Sequence, residues 1–224
     1  MKAWHFVADR LRDGQTIPGD GEVLKHVGYV CICYRGLHAG TKILNCMEYM
    51  PGTTLCRVEC RDVVRKEDTK LVCRERTILW RMDVQQIIKS FVCKEVLNIL
   101  PQDADPVIRE YLQTQNPELR EAAFSEAYAE AYKAENYDFC NLWAYKAAHQ
   151  AATNTQGYMS YIALQSVTHH HLQQEEPVQT NEGWAKRFLK VKAKQNRSLT
   201  AIIIAEKRRR DKNAKGRAND RDAV

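Results

Sequence analysis

The segment Tyr34-Arg-Gly-Leu-His-Ala-Gly-Thr-Lys-Ile-Leu-Asn-Cys-Met-Glu-Tyr49, with Pro51-Gly-Thr-Thr-Leu-Cys-Arg-Val-Glu59 after it, decides how the rest of the chain is read. It reads as a strand end, a turn-out at Gly36-Leu37-His38, a short helix over 41–49, a Pro51-Gly52 turn and a strand over 54–60. His38 stands where the first of these strands ends, and Tyr49 closes the helix and is able to fold back toward it. A histidine and an aromatic ring facing each other there clamp a flat, polar ring, or simply pack.

Upstream, residues 2–9 are rich in aromatic and β-branched side chains and predict a first strand. Alternation puts Ala3, His5 and Val7 on one face and Trp4 and Phe6 on the other. Asp13-Gly14 and Pro18-Gly19 mark a polar connection, and Tyr29-Val-Cys-Ile-Cys-Tyr34 predicts a second strand leading into the opening segment. Downstream, a charged turn at 65–69 precedes Lys70 to Trp80, one strand or two short ones.

The character then changes. Asp83 is placed as an N-cap, and Val84, Ile87, Ile88, Phe91, Val92 and Ile99 form one helical stripe. Asp105-Pro106 and Asn116-Pro117 each open a helix with a cap residue and a proline in the first turn. The Ala- and Tyr-rich stretch from Glu126 to Ala148 predicts a helical hairpin, its small residues allowing close approach and its tyrosines covering the seam. A break at 153–157 precedes a helix over 158–173. The expected organisation is α+β: a β-rich domain over 1–82, a helical region over 83–174, a linker over 175–181, and a basic helix with a disordered tail over 182–224.

Hydrophobic content of 44% and charged content of 28% are those of an ordinary soluble globular chain. The longest apolar run, Ala201 to Ala205, is far short of a membrane span, and the first residues lack a secretory pattern, so the expected location is cytoplasmic, with no membrane partner. Eight cysteines in that setting read as free thiols. Their spacing is not that of a zinc ribbon, so no metal is expected. His169-His-His171 points in three directions on a helix and reads as an exposed polar helix end.

The net charge of +6 is uneven: the residues from Trp184 onward carry +10 and the preceding part −4. Lys186, Arg187, Lys190, Lys194, Arg197 and the run Arg208, Arg209, Arg210 are therefore candidates for contacting nucleic acid or another acidic partner. A solvated helix or a protein-docking arm is the other reading of the same residues.

Four segments in order also carry a family resemblance. Ala3-Trp4-His5-Phe6, Gly36-Leu37-His38-Ala39 with Tyr49, Thr54 to Glu59, and Leu71-Val-Cys-Arg-Glu75-Arg-Thr-Ile-Leu resemble the core of His-Tyr-Glu ADP-ribosyltransferases, the clade of diphtheria toxin and the poly(ADP-ribose) polymerases. The N-terminal half also resembles a bacteriophage-encoded family of unknown function, with Lys-Ala-(aromatic)-His-Phe, Gly-Leu-His-Ala and Tyr-x-Pro-Gly. The first resemblance implies NAD as cofactor and the following roles. His5 holds a ribose, His38 and Tyr49 stack on nicotinamide near Gly36, and Glu75 stabilises the oxocarbenium-like state as nicotinamide leaves. Phe6, Val7 and Arg76 depart from the pattern of that clade.

Three functions follow as expectations. One is a phage accessory enzyme that transfers ADP-ribose from NAD to a host protein or nucleic acid in the bacterial host cytoplasm. Another is a non-catalytic phage binding protein acting on a host system through nucleic acid, a nucleotide signal or a protein partner. The third is a structural phage component, assembled as a homo-oligomer through the helical region.

Overall fold

The computed structural model describes all residues except Arg12, Asp138, 154–157, 175–180 and 222–224. The expected break at 153–157 and linker at 175–181 fall almost wholly outside the described residues. An antiparallel sheet comes first and helices follow, an α+β architecture. The strands are β1 (Lys2–Val7), β2 (Val23–Lys25), β3 (Leu37–Gly40), β4 (Thr54–Lys66) and β5 (Lys70–Asp83), with α1 (Ile43–Met47) between β3 and β4.

Strand order is β2-β5-β3-β1-β4, and β4 also pairs with β5, so β1, β3, β5 and β4 close into a ring. Alternation along the strands gives the ring two faces. Ala3, Val7, Ala39, Cys56, Val58, Cys60, Leu71, Cys73 and Ile78 form one buried cluster. Trp4, Phe6, Leu55 and Met82 belong to a second and larger one, which includes Ile43, Leu44 and Met47 of α1 and the helical region. The first cluster is built largely from cysteine, alanine and valine, side chains small enough for a narrow ring, with its thiols acting as small hydrophobes.

The helices are α2 (Gln85–Leu97), α3 (Pro106–Thr114), α4 (Arg120–Tyr137), α5 (Phe139–Ala152), α6 (Tyr158–Gln174) and α7 (Asn181–Arg221), with a 3-10 turn at Pro117–Leu119. Asp105 caps α3 as expected, whereas at α2 the cap position is taken by Val84 and Asp83 stands one residue before it. Asp83 Oδ1 accepts from the N–H of Gln85 at 3.0 Å and Asp105 Oδ1 from that of Val107 at 2.8 Å. Ala123, Ala127, Ala131 and Ala134 make the buried seam of α4, facing Ala144, Ala147 and Ala148 of α5. Tyr128 and Tyr132 do not cover that seam as expected but stand exposed.

Three further expectations are corrected. Residues 29–34 form no strand: Cys31 accepts from the N–H groups of Tyr34 and Arg35, and Cys33 takes a left-handed φ of 72°. A run of aromatic and β-branched side chains there is overridden by a tight turn. The basic helix is not a separate arm over its whole length, because Leu199 and Ile203 are fully buried in the core that starts at Trp4. The tail expected to be disordered from residue 213 is helical as far as Arg221.

Candidate anion-binding cavity

Next to the mouth of the strand ring lies a cavity of about 1140 Å³. His5, Gly36, His38 and Tyr49 all line it, so four of the five residues singled out in the N-terminal part meet at one place. Glu75 is not among the lining residues. Strand register explains this. On β5, Glu75 pairs with Arg61 and Arg76 with Cys60, and neighbours on a strand point to opposite faces. Cys60 belongs to the inner cluster, so Arg76 faces inward while Glu75 faces out. Glu75 Oε1 is ion-paired to Lys25 Nζ at 3.1 Å.

Arg76 takes the inward position, only 5% exposed, and lines the cavity. Its Nη1 donates to the carbonyl oxygen of His38 at 2.6 Å, and no carboxylate pairs with it among the described residues. A guanidinium has five N–H donors. A buried cation without a counter-ion is unfavourable unless a ligand supplies one, which makes Arg76 the strongest chemical signal of the site. Sequence reading had marked Arg76 only as a departure from a family pattern.

His38 has a different role from the one expected. Its Nε2 accepts from the N–H of Cys33 at 2.9 Å, which leaves the proton on Nδ1, and Nδ1 donates to the carbonyl oxygen of Gly36 at 3.0 Å. Both ring nitrogens therefore fasten the loop 33–36 to β3. Gly36 is required there twice over. Its φ is 110°, and a Cβ would meet Val72 Cγ2 at 2.6 Å and Val30 Cγ1 at 2.8 Å.

The His5 ring makes no hydrogen bond among the described residues and lines the cavity. Burial first, then the charge of Arg76 and the nearby His38, hold its pKa well below the usual histidine value, so it is a neutral imidazole at pH 7. Tyr49 is 68% exposed at the rim, and the neighbouring Glu48 carboxylate raises its pKa. Burial pushes the Cys46 thiol up to about 12; it donates to the carbonyl oxygens of Lys42 at 3.3 Å and Trp4 at 3.4 Å and stays protonated.

Charge around the cavity is one-sided. Among the described residues, Arg10, Lys25, Arg35, Lys70 and Arg76 line it against a single carboxylate, Asp13. Tyr34 and Tyr49 stand exposed at its edge. Among the described residues no three His, Cys, Asp or Glu side chains are grouped to hold a metal ion.

The basic residues expected to meet a partner all lie on α7. Lys186, Lys190, Lys194, Arg197 and Arg208 are exposed and Arg187 is half-buried. Arg209 and Arg210 are also exposed, but both bond Glu206 at 2.7–2.8 Å, which holds that carboxyl down to about 2. No helix is long and apolar enough to cross a membrane among the described residues.

Fold and site together define a small antiparallel strand ring with a cation-lined cavity, set on a helical body. Residues 1–90 match a family described as Domain of unknown function (DUF7666). No curated protein and no solved structure matches the chain.

Proposed function

We propose that the N-terminal strand ring binds a phosphate-bearing nucleotide in the cavity, in keeping with a binding function through a nucleotide signal. The observation that carries this reading is Arg76, a buried guanidinium with no protein carboxylate and a cavity beside it. Guanidinium groups bind phosphate oxygens through paired, charge-assisted hydrogen bonds. The excess of lining cations supports the same ligand, and Tyr34 and Tyr49 offer faces on which a base stacks.

NAD is one nucleotide of this kind. Arg76 and Lys70 suit its pyrophosphate, neutral His5 suits a ribose hydroxyl, and Tyr49 suits a flat ring. The shared lining by His5 and Tyr49 favours it among nucleotides. ADP-ribose transfer further requires a carboxylate beside the ribose, and with Glu75 turned to Lys25 the binding reading has the better support.

Titration calorimetry of the full chain with NAD, ATP, nicotinamide and inorganic pyrophosphate tests it. The expected result is binding of NAD, ATP or pyrophosphate that is lost in Arg76→Met, with none for nicotinamide alone. Absence of heat for every phosphate-bearing ligand overturns the reading.

A further inference from the structure

Beyond the cavity, a ladder of aromatic rings crosses the three helices α5, α6 and α7. Trp143 stacks on His169 with centroids 4.6 Å apart, His169 lies 5.8 Å from Trp184, and Trp184 stacks on Phe188 at 5.3 Å. A cation stands near each end. Lys146 Nζ sits 5.4 Å from the Trp143 ring, and Lys192 Nζ sits 5.4 Å from Phe188 and 5.0 Å from Tyr161. Trp184 is 42% exposed, an unusual placement for an indole already engaged with a neighbour.

The ladder leads to the cavity. Trp184, Phe188 and Lys192 are spaced four apart on α7, a run of ~12 Å along one helix face. Lys192 Nζ donates to the Tyr161 hydroxyl at 3.3 Å. Asn196, one turn beyond Lys192 on α7, accepts from the N–H of Leu44 at 3.2 Å, and Asn45 and Cys46 of that same short helix α1 line the cavity. Exposed Lys186 and Lys190 flank the same stretch of α7.

We infer that the ligand of the cavity is the end of a single-stranded nucleic acid, whose terminal nucleotide enters the cavity while the following bases stack on the ring ladder at Trp184 and Phe188. The inference rests on the nucleotide reading of the cavity and extends it to a polymer. Aromatic faces alternating with cations are the chemistry that unpaired bases and their phosphates require, and a duplex, with its bases already stacked, offers no face to the ladder. DNA and RNA share this chemistry.

The test is fluorescence anisotropy of the full chain with short labelled oligonucleotides: single-stranded DNA, single-stranded RNA, duplex, and a circularised single strand. The linear single strand, as DNA or RNA, is expected to bind at least about tenfold tighter than the duplex or the circle. Trp184→Ala is expected to weaken it about tenfold, and Lys192→Met to flatten its salt dependence. Mononucleotide binding, measured in parallel, stays unchanged in both variants, with melting temperature as the control for folding. Oligonucleotide affinity that is unchanged in both variants, or equal binding of the circle, overturns the inference while leaving the cavity reading in place. Absence of any mononucleotide binding removes both.

Discussion

Arg76 Nη1 donates to the backbone carbonyl of His38 across 2.6 Å, joining the inward face of β5 to the strand that carries the loop clamp. One protein acceptor leaves most of the guanidinium for a ligand. Replacing Arg76 with methionine removes a desolvated cation and leaves one carbonyl less well served. Unfolding free energy is therefore expected to change by no more than about 1–2 kcal/mol, while anion affinity falls at least about tenfold. Urea titration and calorimetry on the same variant separate the two effects.

Glu75→Gln is expected to behave in the opposite way. Its ion pair with Lys25 is solvent-exposed, so stability changes by about 0–1 kcal/mol. Freed from Glu75, Lys25 adds positive potential to the cavity, and nucleotide affinity holds or rises. A transferase using Glu75 as its catalytic carboxylate would instead lose activity and keep binding, which a labelled-NAD transfer assay reads directly.

His5 makes stability depend on pH. Its folded pKa lies well below the unfolded value near 6.5, with burial as the main cause. Between those two values the unfolded chain binds the extra proton and the folded chain does not, so stability falls as pH drops below about 6.5. The slope from this residue is at most about 1.4 kcal/mol per pH unit, and stability from this source is fully present above pH 6.5. His169 and His170 are also held low by burial and act in the same direction. Urea unfolding of His5→Gln between pH 5 and 7 is expected to show a shallower slope than the parent but not a flat one.

Gly36→Ala tests the loop. With φ at 110° and two valine methyl groups inside 3 Å of the new Cβ, the substitution is expected to destabilise the protein by about 1–3 kcal/mol. Because the clamp from His38 to Cys33 closes around the same turn, nucleotide affinity falls with it. Thermal melting and calorimetry check the pair of effects.

Leu199→Ala distinguishes a packed helix from a docked arm. Leu199 is fully buried, so its truncation is expected to cost about 2–5 kcal/mol, whereas Arg208→Ala on the exposed part of α7 changes stability by less than about 0.5 kcal/mol. Denaturant midpoints of the two variants give the comparison.

Local chemistry made much of this legible in advance. The two faces of β1, the cap at Asp105 and the alanine seam of α4 follow from side-chain type and spacing alone. What stayed hidden depends on pairing across the chain. Whether Glu75 or Arg76 faces the cavity is fixed by register against Cys60 and Arg61, and a shift of one residue would exchange them. Residues 29–34 have the aromatic and β-branched composition of a strand, but the backbone turns at Cys33, a conformation that its side chain does not announce. His38 lines the cavity, yet its ring serves the loop, because both nitrogens find backbone partners only once Cys33 and Gly36 fold around it. The partly buried stem of α7 was masked by its charge, since few of its side chains, Leu199, Ile203 and the partly buried Ile204 among them, reach the shared core.

The N–H of Leu44 donates to Asn196 Oδ1 at 3.2 Å, across 152 positions of chain. During synthesis, the apolar side of α1 has no partner from this helix until Leu199 and Ile203 have been made. At about 5–20 residues per second, that interval is roughly 8–30 s. Until then the side of α1 that meets α7 stays uncovered, and its completion depends on long-range closure that slows folding. A chain stalled just before residue 199 would thus be nearly complete yet keep that side uncovered, and chaperone demand should peak late in translation rather than early.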